Sequence, residues 1–172
     1  MSAALVDLVV EEQEWLVRIP DLSDAALTGA RLALDATGLD PDGYEIVVLA
    51  CDDDRIAGLN ADHRGLAKPT NVLSWPAFGL APPAPGDRPP APPVAGSGAG
   101  LPLGDVAIAL QTCVREAENA SIPLKTHVIH LILHSVLHLL GYDHQTDADA
   151  ELMEGIESTA MIGAGFPDPY AT

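Results

Sequence analysis

Positive charge is scarce in this 172-residue chain: eight Lys and Arg stand against 25 Asp and Glu, for a formal net charge of −17. Non-specific affinity for nucleic acid comes mainly from phosphate neutralisation, so this balance excludes a broad basic surface and leaves room only for a local one. Cysteine is as rare. Cys51 and Cys113 stand alone with no C-x-x-C pair, which excludes a disulfide framework and leaves both as small core residues. No apolar run approaches the roughly 20 residues needed to cross a bilayer. The opening Met-Ser-Ala-Ala-Leu-Val-Asp lacks the basic and apolar regions of a secretory signal. A cytoplasmic protein without a membrane partner is expected, folded as one domain over residues 1–172, long enough for a single good core.

What the chain does have is alternating short strand and helix signals. Leu5–Glu11 reads as a strand, a helix follows Ser23 and closes at Gly38, and Tyr44–Cys51 is a second strand. The acidic triplet Asp52-Asp53-Asp54 opens the next helix, where its charge suits the helix dipole better than a cation. Asn71–Trp75 and Asp105–Leu110 are further strands. Gln111–Ala120, Leu124–Leu140 and Asp147–Ile162 are helices, the middle one apolar enough to be buried all round. Between two of the strands lies a Pro/Ala/Gly-rich stretch at about residues 77–102, which reads as a mobile insertion with little claim on the core and a position flanking the cleft. The order predicts an α+β domain: a small mixed four-stranded sheet packed against a layer of about five helices, with a central buried helix that carries histidines.

That helix ends in His134-Ser-Val-Leu-His138-Leu-Leu-Gly141-Tyr-Asp-His144. Histidines four apart share a helix face, one turn above the other. Gly141 is suited to the positive φ that ends a helix, so the chain can double back and deliver His144. Three imidazoles with an open fourth position are the ligand set of a catalytic zinc. The spacing is also that of the metzincin proteases, which place a glutamate general base directly after the first histidine. Here Ser135 takes that place, and a hydroxyl is a poor base near neutral pH.

The same eleven residues resemble the H-G-x-L-H-L-x-G-Y-D-H motif of the YbeY family, bacterial endoribonucleases and rRNA maturation factors. Leu59-Asn60 through Arg64, followed by Lys68-Pro-Thr-Asn71-Val-Leu-Ser74-Trp75-Pro, resembles that family's second block. Leu103-Gly-Asp-Val-Ala-Ile108 resembles its L-G-D-I-x-I strand. Ser135 stands for the family's usual glycine and Trp75 for its usual phenylalanine. The resemblance implies a metal-dependent, single-strand-specific endoribonuclease acting in 16S rRNA 3′-end maturation and ribosome quality control. It implies single-stranded rRNA as substrate, small-subunit ribosomal proteins as partners, and the family's α+β fold.

His134, His138 and His144 are therefore expected to hold one Zn(2+) per chain. Arg64, whose rigid fork of donors matches phosphate oxygens, is expected to act with His134 at the scissile phosphate. Lys68, Asn71 and Ser74 are candidate substrate contacts. Ser135 and Asp143 are candidate supports behind the ligands, and His127 and His130 are expected in the core or behind the metal. A monomer is expected. Two alternatives stay open: a zincin-like metalloprotease, and a non-catalytic ribosome-assembly factor with a structural metal.

Overall fold

In a computed structural model, which describes residues 4–94 and 100–171, the chain forms one mixed sheet with helices on both faces. The strands are β1 (Val6–Val10), β2 (Tyr44–Cys51), β3 (Val72–Pro76) and β4 (Leu101–Ala109), in the order β1-β2-β4-β3. β1 and β2 are parallel with Val6 opposite Ile46, and β2 and β4 are parallel with Val48 opposite Val106. β3 runs antiparallel to β4, from Val72 opposite Ile108 to Pro76 opposite Gly104. Parallel neighbours need crossovers, and the helices supply them. α1 (Glu14–Arg18) and α2 (Leu22–Ala36) link β1 to β2, and α3 (Asp53–Arg64) leads from β2 to β3. α4 (Leu110–Ala120), α5 (Leu124–Leu139) and α6 (Asp147–Gly163) complete the chain.

Period-two alternation decides what each sheet face buries. Ile46, Val48 and Ala50 of β2, with Val106 and Ile108 of β4, form the main core with α2 and α5. Cys51, Leu73, Ala107 and Ala109 point the other way, against Ile56 of α3. α5 packs hard on α2: a side chain at Gly29 would stand 2.7 Å from the Ile129 carbonyl oxygen. α5 is buried on the sides that meet the sheet and α2, through residues such as Val128, Ile132, Leu133 and Val136. Burial is not complete all round, because His127, His130, His134 and His138 stay partly accessible.

α5 ends in a Schellman turn. Gly141 takes φ 99°, its N–H donates to the His138 carbonyl at 3.0 Å, and the Tyr142 N–H donates to the Leu137 carbonyl at 3.0 Å. A Cβ at Gly141 would also stand 2.1 Å from the Leu80 carbonyl oxygen. The described part of the 77–102 stretch holds no helix or strand before β4 begins at Leu101, and residues 95–99 lie outside the described residues. It is tied down at several points. Leu80 and Pro92 are buried, the Gly86 N–H donates to Asp149, Arg88 donates to the Tyr142 hydroxyl, and the Tyr44 hydroxyl donates to the Pro93 carbonyl.

Candidate metal centre

One turn of α5 separates His134 from His138. Their rings meet edge to face with centroids 4.5 Å apart, and their Nε2 atoms are 3.0 Å apart. The Gly141 turn brings His144 back until its ring stacks on His134 at 5.4 Å and lies 5.0 Å from His138. One ring nitrogen from each of the three falls within 4.8 Å of the other two.

The opposite ring nitrogens are held. His134 Nδ1 sits 2.9 Å from Glu157 Oε1, and His138 Nδ1 sits 2.9 Å from the Tyr142 carbonyl oxygen. A carboxylate and a carbonyl accept, so both Nδ1 atoms donate, and each neutral ring keeps its lone pair on Nε2. Two lone pairs facing each other across 3.0 Å repel unless a positive species lies between them. The donor set therefore fits a divalent cation shared by His134, His138 and His144, and three imidazoles leave a fourth tetrahedral position open. Burial, assisted by the neighbouring His134, pushes the His138 pKa down to about 4, which keeps that imidazole in the neutral, ligating form.

Glu157 is the functional residue that sequence reasoning missed. It lies on α6, is 0% exposed, and takes three donors. Its Oε1 is 2.7 Å from His130 Nε2 and 2.9 Å from His134 Nδ1, and its Oε2 accepts from the Tyr170 hydroxyl at 3.0 Å. Burial alone would raise its pKa, but the hydrogen bonds from His130 and His134 outweigh this and hold it at about 2. A signal was present. Glu157 follows Ile156 and stands four residues from both Met153 and Met161, so it belongs to the buried side of α6. A glutamate on a buried stripe must have partners.

Two expected supports are corrected. Ser135 is wholly buried, and its hydroxyl has no hydrogen-bond partner among the described residues. One residue along a helix turns about 100° away from His134, into the core. Asp143 accepts from the His144 backbone N–H at 2.8 Å and so shapes the turn; it bonds to no ligand imidazole. The supporting partners are Glu157 and the Tyr142 carbonyl. His130 lies behind the site on Glu157, and His127 pairs with Glu116 at 2.9 Å.

The three histidines open into a cleft of about 1010 Å³, which Arg64, Lys68, Asn71 and Ser74 also line. Arg64 is the exposed last residue of α3, which Gly65 ends at φ 72°. Arg18, Arg55, Arg115 and Lys125 each pair with a carboxylate, whereas Arg64 and Lys68 have no such partner among the described residues. In a chain this acidic, two unneutralised cations share the wall of the histidine cleft. Asn71 is partly engaged, its amide donating to Glu116 at 3.0 Å. Phe78 to Ala81, from the start of the Pro/Ala/Gly-rich stretch, complete one rim. His63 lies against the Trp75 ring at 5.2 Å.

Residues 10–164 match the family described as Endoribonuclease YbeY. The chain belongs to the YbeY family. It is 50% identical over 165 residues to the endoribonuclease YbeY of Ruegeria pomeroyi, covering 96% of this chain and 97% of that one. Identity to the family member from Jannaschia sp. is 44% over 165 residues, covering 96% and 99% of the two chains. The Dinoroseobacter shibae member is 46% identical over 172 residues, covering 99% and 93%. The solution structure of TM1509 from Thermotoga maritima is similar in fold, with a TM-score of 0.50 at 17% identity over 97% of this chain and 99% of that one.

Proposed function

We propose that this YbeY-family chain is a hydrolase that cuts single-stranded RNA internally, with one zinc ion on His134, His138 and His144, and that it acts in 16S rRNA 3′-end maturation and ribosome quality control. The observation that carries the reading is the joint placement of three convergent imidazoles and two unpaired cations in one cleft. A divalent cation held there supplies a Lewis acid for phosphodiester chemistry. The chain's own groups supply the rest. Glu157 and the Tyr142 carbonyl fix the tautomers of His134 and His138, so that both present Nε2 lone pairs to one point. Arg64 offers a permanent charge and a planar fork of donors to the scissile phosphate, where negative charge grows as the bond breaks. Lys68 adds a second charge on the same wall, and Asn71 and Ser74 offer polar contacts beside it.

Residues 1–172 act as one domain and one monomeric enzyme in the cytoplasm; no helix among the described residues is long and apolar enough to cross a membrane. The acidic exterior suits an approach to basic proteins of the small ribosomal subunit. The metalloprotease reading loses ground because the residue directly after His134 is Ser135, which supplies no carboxylate base and whose hydroxyl is buried in the core. A structural-metal reading loses ground because the ligand set stops at three residues among those described. Purified protein is expected to cut a single-stranded RNA, to spare the corresponding duplex and casein, to stop on chelation and to resume on adding zinc. Digestion of casein with the RNA left intact would overturn the proposal.

A further inference from the structure

β3 is an edge strand, since the order β1-β2-β4-β3 leaves its outer side without a neighbour. The Ala109 N–H donates to the Asn71 carbonyl at 3.0 Å, and the Ala77 N–H donates to the Leu103 carbonyl at 2.9 Å. The register between these bonds is unbroken. Hydrogen-bonded positions alternate in an antiparallel pair, so Leu73 and Trp75 face β4. The N–H and C=O groups of Val72 and Ser74 must point the other way. They meet no hydrogen-bond partner among the described residues. Val72, Ser74 and Pro76 line the same cleft as His134, His138, His144, Arg64 and Lys68.

We propose that this edge is a main-chain rail for the substrate's backbone: the Val72 and Ser74 N–H groups donate to phosphate oxygens, and their carbonyls accept from ribose 2′-hydroxyls. The inference rests on the nuclease reading above and names how that site grips its substrate. Outward groups recur every second residue, about 6.6–6.8 Å apart, on the scale of one nucleotide of extended strand. Each position offers a donor and an acceptor, and each ribonucleotide offers the complementary pair. Only RNA carries the hydroxyl that the carbonyls would take. An added peptide strand fits less well. Pro76 has no N–H to continue a ladder, and the two unpaired cations favour a polyanion.

Ser74→Pro removes one outward N–H and leaves the bonds to β4 intact, as Pro76 already does two residues along. The comparison is with Ser74→Ala, which also lacks the hydroxyl. With both proteins metal-loaded, the proline variant is expected to raise the KM for a single-stranded RNA 12-mer about tenfold, the size of one lost charge-assisted hydrogen bond. The same 12-mer as DNA offers nothing to the carbonyls, so its Ki against RNA cleavage by the wild type is expected about tenfold above the RNA's KM. Amide hydrogen exchange on the wild-type protein needs no substitution. Leu73 and Trp75 should be protected throughout, while Val72 and Ser74 exchange quickly and gain protection when the DNA 12-mer is added. Equal KM values for the two folded variants, or no gain of protection, overturn the rail. Equal Ki and KM overturn its carbonyl half. Protection by an extended peptide but not by the oligonucleotide overturns it in favour of a peptide edge. A wild type that leaves the RNA uncut defeats the nuclease reading instead, and the exchange measurement still decides the rail.

Discussion

Replacing Glu157 tests how the proposed metal ligands are held. Its carboxylate is 0% exposed and accepts from His130, His134 and Tyr170. In Glu157→Ala, His134 Nδ1 loses its acceptor, the ring is free to rotate or to adopt the other tautomer, and the site loses a buried negative charge that favours a cation. Loss of such a partner typically weakens metal binding about 10- to 100-fold, equivalent to about 1.4–2.8 kcal/mol. Glu157→Gln keeps an oxygen that can accept from His134 and His130, and the Tyr170 hydroxyl can turn to accept from the new amide. That variant loses the charge but keeps the orientation, so a loss of about tenfold or less is expected. Zinc affinity measured by competition with a chromogenic chelator gives the order wild type, Gln, Ala. Melting temperature in excess EDTA separately reports the cost of orphaning buried donors, about 1–3 kcal/mol each. Wild-type zinc affinity in a folded Glu157→Ala protein would refute the orienting role. Equal losses in the two variants would show that charge alone matters.

Arg64→Ala should fold and bind metal as the wild type does yet cut RNA at least about tenfold more slowly, a loss of roughly 1.4 kcal/mol; unchanged cleavage would return Arg64 to the ordinary surface. Metal-stripped protein should lose stability on mild acidification. The His138 pKa falls from 6.5 to about 4 on folding, chiefly through burial and then through the electrostatic influence of the adjoining His134 imidazole, with His144 and Asp143 also facing it. Between those values the unfolded chain binds more protons than the folded one, so stability drops as pH falls from about 6.5 towards 4, by up to about 3 kcal/mol. Urea titrations of the stripped protein at pH 7 and pH 4.5 check this, and His138→Gln should flatten the slope; an equal slope would show that another group is responsible. Replacing residues 82–94 with a short Gly/Ser link removes the bonds to Asp149, Tyr142 and Tyr44 and the burial of Pro92. A melting temperature lower by about 5 °C is expected, and an unchanged one would show that those contacts contribute nothing.

Much of this architecture is legible where local pattern and tertiary need agree. Tyr44–Cys51 alternates as a half-buried strand should, and β2 has those bounds. The four-residue histidine spacing and Gly141 bring two imidazoles together and turn the chain back to the third, because all of that pattern lies within eleven residues. Legibility fails where the determinant lies far along the chain or runs against composition. Glu157 sits 23 residues beyond His134, and only the packing of α6 behind α5 joins them. β4 starts at Leu101, earlier than the Asp105 that alternation suggests, because pairing with β2 carries the ladder past Pro102 and Gly104 with a register shift. α1 has five residues, too few to show a helical period, and it is fixed by the buried Trp15, whose indole N–H donates to the Cys51 carbonyl at 2.8 Å. Composition marks the 77–102 stretch as a linker but is blind to the backbone and side-chain bonds that fasten it.

The most direct test is elemental analysis of the purified protein beside His138→Ala, with each preparation also assayed on a single-stranded RNA. The wild type should carry about one equivalent of metal and cut the RNA. The variant, left with two imidazoles, should lose both metal and cleavage. Metal retained at full stoichiometry in His138→Ala, and equally in His134→Ala and His144→Ala, would contradict the assignment of the site.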